Sequence, residues 1–152
     1  KYFSMTGWRL GWLVLPEELI RPVELLAQNL FVSAPTLSQI AAIAAFDDTA
    51  ELDAHVARYA TNRELVLDGV ARLGCTTVAP ADGAFYCYAN VSHLGADSQE
   101  LCRRWLAELG VAATPGIDFD PVEGHRFVRF SFAGPTDDVR EAMVRLAAWA
   151  NR

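Results

Sequence analysis

The sequence has 152 residues, of which 52% are hydrophobic and 21% are charged, and it carries a formal net charge of −6 at pH 7. This composition is typical of a globular protein with enough apolar side chains for a core, and the length suits one domain or one domain plus part of another. The acidic balance and the scattered basic residues argue against a nucleic-acid surface, and no apolar run is long enough to span a membrane.

The beginning of the chain carries two cations, Lys1 and Arg9, which are eight positions apart. A fully extended chain would hold them roughly 26 Å apart, but Gly7 tolerates unusual backbone angles and offers a place for the chain to fold back. A lysine amine forms Schiff bases with aldehydes, and an arginine holds phosphate by paired hydrogen bonds. The two side chains therefore point to a small ligand with an aldehyde and a phosphate, which describes pyridoxal phosphate.

The string Met-Thr-Gly-Trp-Arg-Leu-Gly-Trp at residues 5–12, four positions after Lys1, resembles the Schiff-base segment of the class I/II aminotransferases. These are fold-type-I enzymes that depend on pyridoxal phosphate. The resemblance implies that Lys1 is the catalytic lysine and carries the cofactor, and that Arg9 binds the cofactor's phosphate.

The same resemblance implies an α/β fold, namely the C-terminal part of a fold-type-I pyridoxal-phosphate transferase. Residues 1–48 are then the remnant of the large cofactor-binding domain, and residues 49–152 form the small C-terminal domain. Because the chain begins at the expected catalytic residue and not at methionine, we expect it to be a fragment of a longer chain that is inactive alone.

Residues 9–15 are predicted to form a strand that leads away from the two cations. A helix is predicted to begin at Glu17, because negative charge suits the positive end of a helix dipole. Apolar side chains recur at helical spacing over residues 19–30, although Pro22 is expected to break or restart this helix.

A loop is predicted over residues 29–35, and an alanine-rich helix over residues 36–46. The resemblance places this region at the interface of a homodimer, where the loop reaches the partner's active site and Ser33 aligns with a loop serine. Some dicarboxylate-specific members of the family carry an arginine where this chain has Asn29. The difference weakens the case for aspartate as the substrate.

The Asp-Asp-Thr sequence at residues 47–49 is the predicted boundary between the two domains. Beyond it, apolar residues at spacings of three, four and seven predict a long amphipathic helix over residues 52–73, with Gly74 at its C-terminal cap. In the resembled family this helix connects the large and small domains.

Two strands, over residues 76–79 and 85–91, are predicted on either side of a turn at residues 80–83. The Gly-Ala-Phe-Tyr sequence at the start of the second strand resembles a family segment that lines the substrate pocket. Phe85 is therefore expected either to bind substrate or to pack in the core.

Ser98 is the predicted N-cap of a helix over residues 99–109, which is followed by a short strand over residues 111–114. His93 and His125 lie in polar segments without another histidine or cysteine at ligand spacing. We therefore predict that both imidazoles are solvated and that the chain has no metal site.

The last strand is predicted over residues 126–132, and a final helix follows Pro135. Strand alternation places Val128 and Phe130 on one face and Arg129 on the other. Arg129 stands between bulky neighbours, where a charge needs a partner to offset its desolvation. That partner is either a protein carboxylate in a salt bridge or, as the resemblance implies, the α-carboxylate of the substrate.

The sequence contains three cysteines, Cys75, Cys87 and Cys102, which are widely spaced and include no Cys-x-x-Cys pair. This pattern favours buried thiols in a reducing compartment over disulfides or a zinc site. It therefore predicts a cytoplasmic protein.

The activity implied by the resemblance is the transfer of an amino group between an amino acid and a 2-oxoacid, with pyridoxal phosphate as the cofactor. Lys1 and Arg9 are the expected cofactor ligands, and Arg129 and Phe85 the expected substrate ligands. Two alternatives stay open. One is a pyridoxal-phosphate-dependent β-lyase on the same fold, and the other is the aminotransferase-like effector domain of a transcription regulator.

Overall fold

The computed structural model describes residues 1–47, 49–95 and 97–151. The chain folds as two units, Lys1–Val56 and Ala57–Arg152. The predicted boundary at residues 47–49 includes Asp48, which lies outside the described residues. The assignment of the two domains to residues 1–48 and 49–152 stays a prediction.

The first unit contains a 3-10 turn, Thr6–Trp8, and two helices, α1 (Glu17–Leu30) and α2 (Thr36–Ala44). Pro22 lies inside α1 without ending it, so the predicted break is wrong. Proline has a helical φ and removes only one hydrogen bond, the one that its missing N–H would donate. The helix continues on both sides of Pro22, from Glu17 to Leu30.

The strand predicted over residues 9–15 is also wrong, because residues 10–16 have no regular secondary structure. A strand needs a neighbour with which to exchange backbone hydrogen bonds. In the described part of the chain, the only sheet belongs to the second unit. In this segment, Leu13 and Val14 are 70% and 93% exposed.

Helix α3 (Ala50–Arg72) confirms the prediction of a long helix in this region. Its inward face buries Val66 and Val70, and the chain leaves the helix through Gly74, which has φ +89°. The N–H of Cys75 donates to the carbonyl of Val70 at 3.0 Å. These features form a glycine C-cap, which satisfies backbone groups that the end of a helix leaves unpaired.

The second unit contains an antiparallel sheet of three strands, β1 (Tyr86–Asn90), β2 (Thr114–Pro115) and β3 (Phe127–Ser131), in the order β1-β3-β2. Strands β1 and β3 confirm two of the predicted strands. The strand predicted over residues 76–79 is not formed, since Val78 makes only an isolated bridge to Ala89. The strand predicted over residues 111–114 shares only Thr114 with β2. In the register of the sheet, Arg129 is paired with Tyr88 on one side and with Thr114 on the other.

Helices α4 (Ser98–Leu109) and α5 (Thr136–Ala150) complete the second unit. The predicted cap of α4 is wrong by one residue, because the side chain of Asp97 accepts the N–H of Glu100. Aspartate caps a helix as well as serine does, and the buried hydroxyl of Ser98 donates instead to the carbonyl of Gly124 at 2.9 Å.

One face of the sheet forms the core together with helices α3, α4 and α5. The fully buried side chains of this core are Val66, Val70, Cys87, Ala89, Val91, Leu101, Trp105, Val128 and Leu146. The opposite face of the strands is only partly buried. Within the described residues, every helix is too short or too polar to cross a membrane.

Candidate active site

The segment from Lys1 to Arg9 folds back through two non-glycine residues in the left-handed region, Ser4 at φ +52° and Arg9 at φ +53°. The N–H of Ser4 donates to the carbonyl of Lys1 at 3.0 Å, and Gly7 lies within the 3-10 turn without a positive φ. The chain therefore turns at Ser4, at the 3-10 turn that contains Gly7 and at Arg9, and Gly7 does not use the backbone angles that favour glycine. The buried hydroxyl of Ser38 on α2 fixes the turn by donating to the carbonyl of Trp8 at 2.8 Å.

Lys1 and Arg9 line the same cleft of the first unit, which has a volume of ≈ 570 Å³. Arg9 is exposed, and its side chain donates from Nη1 to the carbonyl of Thr6 at 3.0 Å. The ring of Phe46 lies 4.8 Å from that of Phe3 and 5.6 Å from that of Trp12, and all three rings also line the cleft. The cleft thus offers a primary amine and a guanidinium beside an aromatic wall.

The second candidate site is the guanidinium of Arg129 on the partly buried face of β3. Its Cζ lies 4.1 Å from the centroid of the Tyr86 ring and 4.2 Å from that of the Phe119 ring. Its Nη2 donates to Oγ1 of Thr114 at 3.4 Å, whereas its Nε is buried and has no hydrogen-bond partner. No carboxylate of the described residues forms an ion pair with Arg129, so the alternative of a protein salt bridge is not observed there.

Phe85 is half-buried and packs among aromatic side chains. Its ring centroid lies 6.0 Å from that of Tyr59 and 4.5 Å from that of Tyr86. The carbonyl of Phe85 accepts the N–H of Phe132 at 3.0 Å. These contacts show the packing role of Phe85, and its contact with substrate stays a prediction.

The aromatic contacts of Arg129 were not predicted from the sequence. Tyr88 is paired with Arg129 in the sheet, and Tyr86 lies two residues before it on the same face of β1. Alternation along β1 could therefore have indicated that Tyr86 was a diagonal neighbour of Arg129. Phe119 belongs to an irregular loop, so its position depends on tertiary contacts that periodicity does not reveal.

The two histidines predicted to be solvated are exposed, but each ring also contacts the backbone. Nε2 of His93 lies 3.0 Å from the carbonyl oxygen of Leu73, and Nδ1 of His125 lies 3.1 Å from that of Val122. Among the described residues, no group of three or more potential ligands is placed to hold a metal ion.

All three cysteines are free and buried, which confirms the prediction of buried thiols. Burial raises the pKa of each thiol, at Cys75, Cys87 and Cys102, to about 11. The thiolate is the reactive form, so these side chains serve packing and not nucleophilic chemistry.

Comparison with known proteins identifies relatives of this chain. The family "Aminotransferase class I and II" matches residues 1–146. Valine–pyruvate aminotransferase of Mycobacterium tuberculosis is 53% identical over 151 residues, which cover 98% of this chain and 39% of that protein. (5-Formylfuran-3-yl)methyl phosphate transaminase of Methanocaldococcus jannaschii is 36% identical over 154 residues, which cover 100% of this chain and 40% of that protein.

The fold agrees with the sequence match. A crystal structure of an aminotransferase from Mycobacterium tuberculosis superposes with a TM-score of 0.92 at 52% identity, covering 99% of this chain and 40% of that one. The chain therefore spans about 40% of the length of the relatives it matches. The predicted fold class is confirmed, and the chain belongs to the family of class I and II aminotransferases.

Proposed function

We propose that the protein acts as a pyridoxal-phosphate-dependent aminotransferase, which moves an amino group between an amino acid and a 2-oxoacid. The observation that carries this proposal is the position of Lys1 and Arg9 in one cleft of a chain from this family. Lys1 is the only lysine in the sequence. It is therefore the one side chain of this sequence that can form a Schiff base with an aldehyde cofactor.

The residues of the cleft fit pyridoxal phosphate. The amine of Lys1 suits its aldehyde. The guanidinium of Arg9 has five N–H donors and donates from Nη1 to Thr6, so that other donors can bind the phosphate. The aromatic wall suits a flat ring. When bound, pyridoxal phosphate supplies an electron sink for the negative charge that develops at the substrate Cα.

In this proposal the side chains of the cleft have distinct roles. Nζ of Lys1, once it is a neutral amine, takes the proton from the substrate Cα and later returns it, as a general base and then a general acid. The guanidinium of Arg9 holds the phosphate by parallel hydrogen bonds and keeps the cofactor in place.

Arg129 is the proposed ligand of the substrate α-carboxylate. Its buried Nε has no hydrogen-bond partner, and no described carboxylate forms an ion pair with the guanidinium. A desolvated cation without a counter-charge is costly. A substrate carboxylate would offset this cost with two parallel hydrogen bonds and would fix the orientation of the substrate.

We propose monocarboxylic substrates, with L-valine and pyruvate as the pair to test first. The support is the 53% identity to valine–pyruvate aminotransferase. Asn29 adds to it, because its side-chain amide donates to the carbonyl of Leu25 within its own helix at 2.7 Å and brings no positive charge.

The relatives described above are all aminotransferases or transaminases, which favours amino transfer over the β-lyase and the effector domain.

We further propose a cytoplasmic homodimer, as the family resemblance and the free cysteines suggest.

The test uses the protein expressed from its complete gene and loaded with pyridoxal phosphate. We expect it to form alanine from L-valine and pyruvate, and we expect Arg129→Lys to lower kcat/KM for L-valine about tenfold to a hundredfold. Lysine keeps the charge but loses the planar fork that binds a carboxylate bidentately. Cofactor binding, followed by absorbance, should stay intact.

The matched control is Arg126→Lys, because Arg126 is exposed and already pairs with Glu123 at 2.7 Å. Its kinetics should equal those of the wild type. Equal kinetics of the Arg129 variant and the wild type would refute the role of Arg129. Release of ammonia from β-substituted amino acids without amino transfer would identify a lyase, and ligand binding without turnover would favour an effector domain.

A further inference from the structure

We infer that Phe119 is a positioning residue of the carboxylate site, whose ring holds the Arg129 guanidinium in place and shields it from water. The inference rests on the proposed role of Arg129 and adds to it a side chain that approaches from a loop. Phe119 directly follows the 3-10 turn Gly116–Asp118, and it remains 52% exposed.

The two aromatic rings, rather than hydrogen bonds, set the orientation of the Arg129 guanidinium. The hydrogen bond to Thr114 is long, at 3.4 Å, and Nε has no partner. The rings of Tyr86 and Phe119 lie 4.1 Å and 4.2 Å from Cζ. Rings bind a guanidinium through its flat faces, whereas a carboxylate binds the N–H groups at its edge. Aromatic packing is therefore compatible with simultaneous binding of a carboxylate.

The loop that carries Phe119 is held by its own backbone. The N–H groups of Phe119 and Asp120 both donate to the carbonyl of Gly116, at 2.9 and 3.0 Å, and the N–H of Gly124 donates to the carbonyl of Asp120 at 3.0 Å. Oδ1 of Asp120 also accepts the N–H groups of the two residues that follow Pro121.

A second anchor connects this loop to the core. The side chain of Ser98, on the first turn of α4, is fully buried and donates to the carbonyl of Gly124 at 2.9 Å. A rigid loop of this kind holds a catalytic or binding side chain at a defined point, which is what orientation of a substrate requires. The half-exposed ring of Phe119 thus has a fixed place against Arg129.

Tyr86 and Phe119 differ in what their removal would disturb. Tyr86 belongs to β1 and is paired with Ser131 in the sheet. Phe119 lies outside the sheet, so a substitution there removes the ring and leaves the strands and their hydrogen bonds intact. The contribution of aromatic packing to carboxylate binding can therefore be measured at Phe119.

The experiment uses the complete, cofactor-loaded protein with Phe119→Ala, Phe119→Leu and Phe119→Tyr. The probes are L-valine as substrate and two inhibitors, isovalerate, which lacks the amine, and isobutylamine, which lacks the carboxylate. Phe119→Ala should raise KM for L-valine and the inhibition constant of isovalerate about 2-fold to 30-fold. The inhibition constant of isobutylamine should not change. The leucine variant should be intermediate, and the tyrosine variant should match the wild type.

The control is Val122→Ala, which removes an apolar side chain of the same loop that is 73% exposed, and it should leave all three constants unchanged. In a protein that already carries Arg129→Leu, Phe119→Ala should not raise KM for L-valine or the inhibition constant of isovalerate any further. The inference would be overturned if Phe119→Ala weakened the binding of isovalerate and isobutylamine equally. It would also be overturned if no Phe119 variant weakened isovalerate binding while Arg129→Lys did. If Arg129→Lys itself leaves isovalerate unaffected, the proposed role of Arg129 fails and the inference falls with it.

Discussion

At the scale of single residues, burial separates the side chains that can react from those that only pack. The residues Cys75, Cys87 and Cys102 are only 7%, 0% and 8% exposed. Desolvation by this burial is the main reason why the pKa of each thiol is raised. Lys1 and Arg9 are exposed and line a cleft. The chemistry of the chain is therefore expected at its cations and not at its thiols.

We predict that the three thiols are almost inert in the native protein. With a pKa of about 11, about one thiol in a thousand is ionised at pH 8. Iodoacetamide followed by peptide mapping should therefore label these cysteines slowly in the native protein and rapidly in denaturant. Fast labelling of any of the three in the native state would contradict their burial.

The raised pKa of the three thiols also predicts that the protein is less stable in alkali. The folded-state pKa is raised from 9.0 to about 11, so the unfolded chain loses its thiol protons first as the pH rises. The contribution of these thiols to the free energy of unfolding is thus fully present below pH 9 and is lost as the pH rises towards 11. Replacing Cys87 with alanine should reduce this part of the pH dependence.

At the scale of elements, the loop between β2 and β3 depends on the close approach of two glycines. A Cβ placed on Gly116 would lie 2.6 Å from the carbonyl oxygen of Gly124 and 2.7 Å from that of Phe127. Both neighbours are backbone atoms, which cannot move aside as a flexible side chain can. Only glycine fits this position without a shift of the loop.

Gly116→Ala should therefore reduce the free energy of unfolding by about 1–3 kcal/mol, the usual range for overpacking. It should also raise KM for L-valine, because the shift would displace Phe119 from Arg129. Urea unfolding and steady-state kinetics of the complete protein test both effects. Gly134→Ala is the matched control, since a Cβ there would meet only Cγ2 of Val139, at an ordinary contact distance of 3.8 Å. Equal effects of the two substitutions would refute this account.

The elements that the sequence predicted well are those with a strong local pattern. Helix α3 has a long apolar repeat, and β1 and β3 alternate between buried and half-buried residues. Residues 9–15 have a strand-like composition but no strand beside them in the described part of the chain. Pairing is a property of two segments, so composition alone could not reveal its absence.

The residues of the candidate site that could be predicted from the sequence are those that lie in a single motif. Lys1 and Arg9 belong to a single short segment, and the expectation that they face one ligand agrees with their shared cleft. The left-handed residues of this segment are Ser4 and Arg9, whereas Gly7 lies in a 3-10 turn without a positive φ. Residues other than glycine can adopt the left-handed region where other contacts hold them. The contact of Phe119 with Arg129 required the fold of a loop, which no local pattern encodes.

At the scale of the whole molecule, the two units carry different parts of the proposed activity. The first unit supplies Lys1 and Arg9, and the second supplies Arg129. The chain spans about 40% of the length of its relatives, so the activity is proposed for the protein as encoded by its complete gene.

The most direct test of the central claim is to identify the residue that bonds to the cofactor. The complete protein is incubated with pyridoxal phosphate, reduced with borohydride, digested and mapped by mass spectrometry, and Lys1→Ala serves as the control. We predict one pyridoxyl group per chain on Nζ of Lys1, the only lysine of this sequence, and none at this segment in the variant. A pyridoxyl group that is found on another residue, or that persists in full in the Lys1→Ala variant, would contradict the proposed role of Lys1.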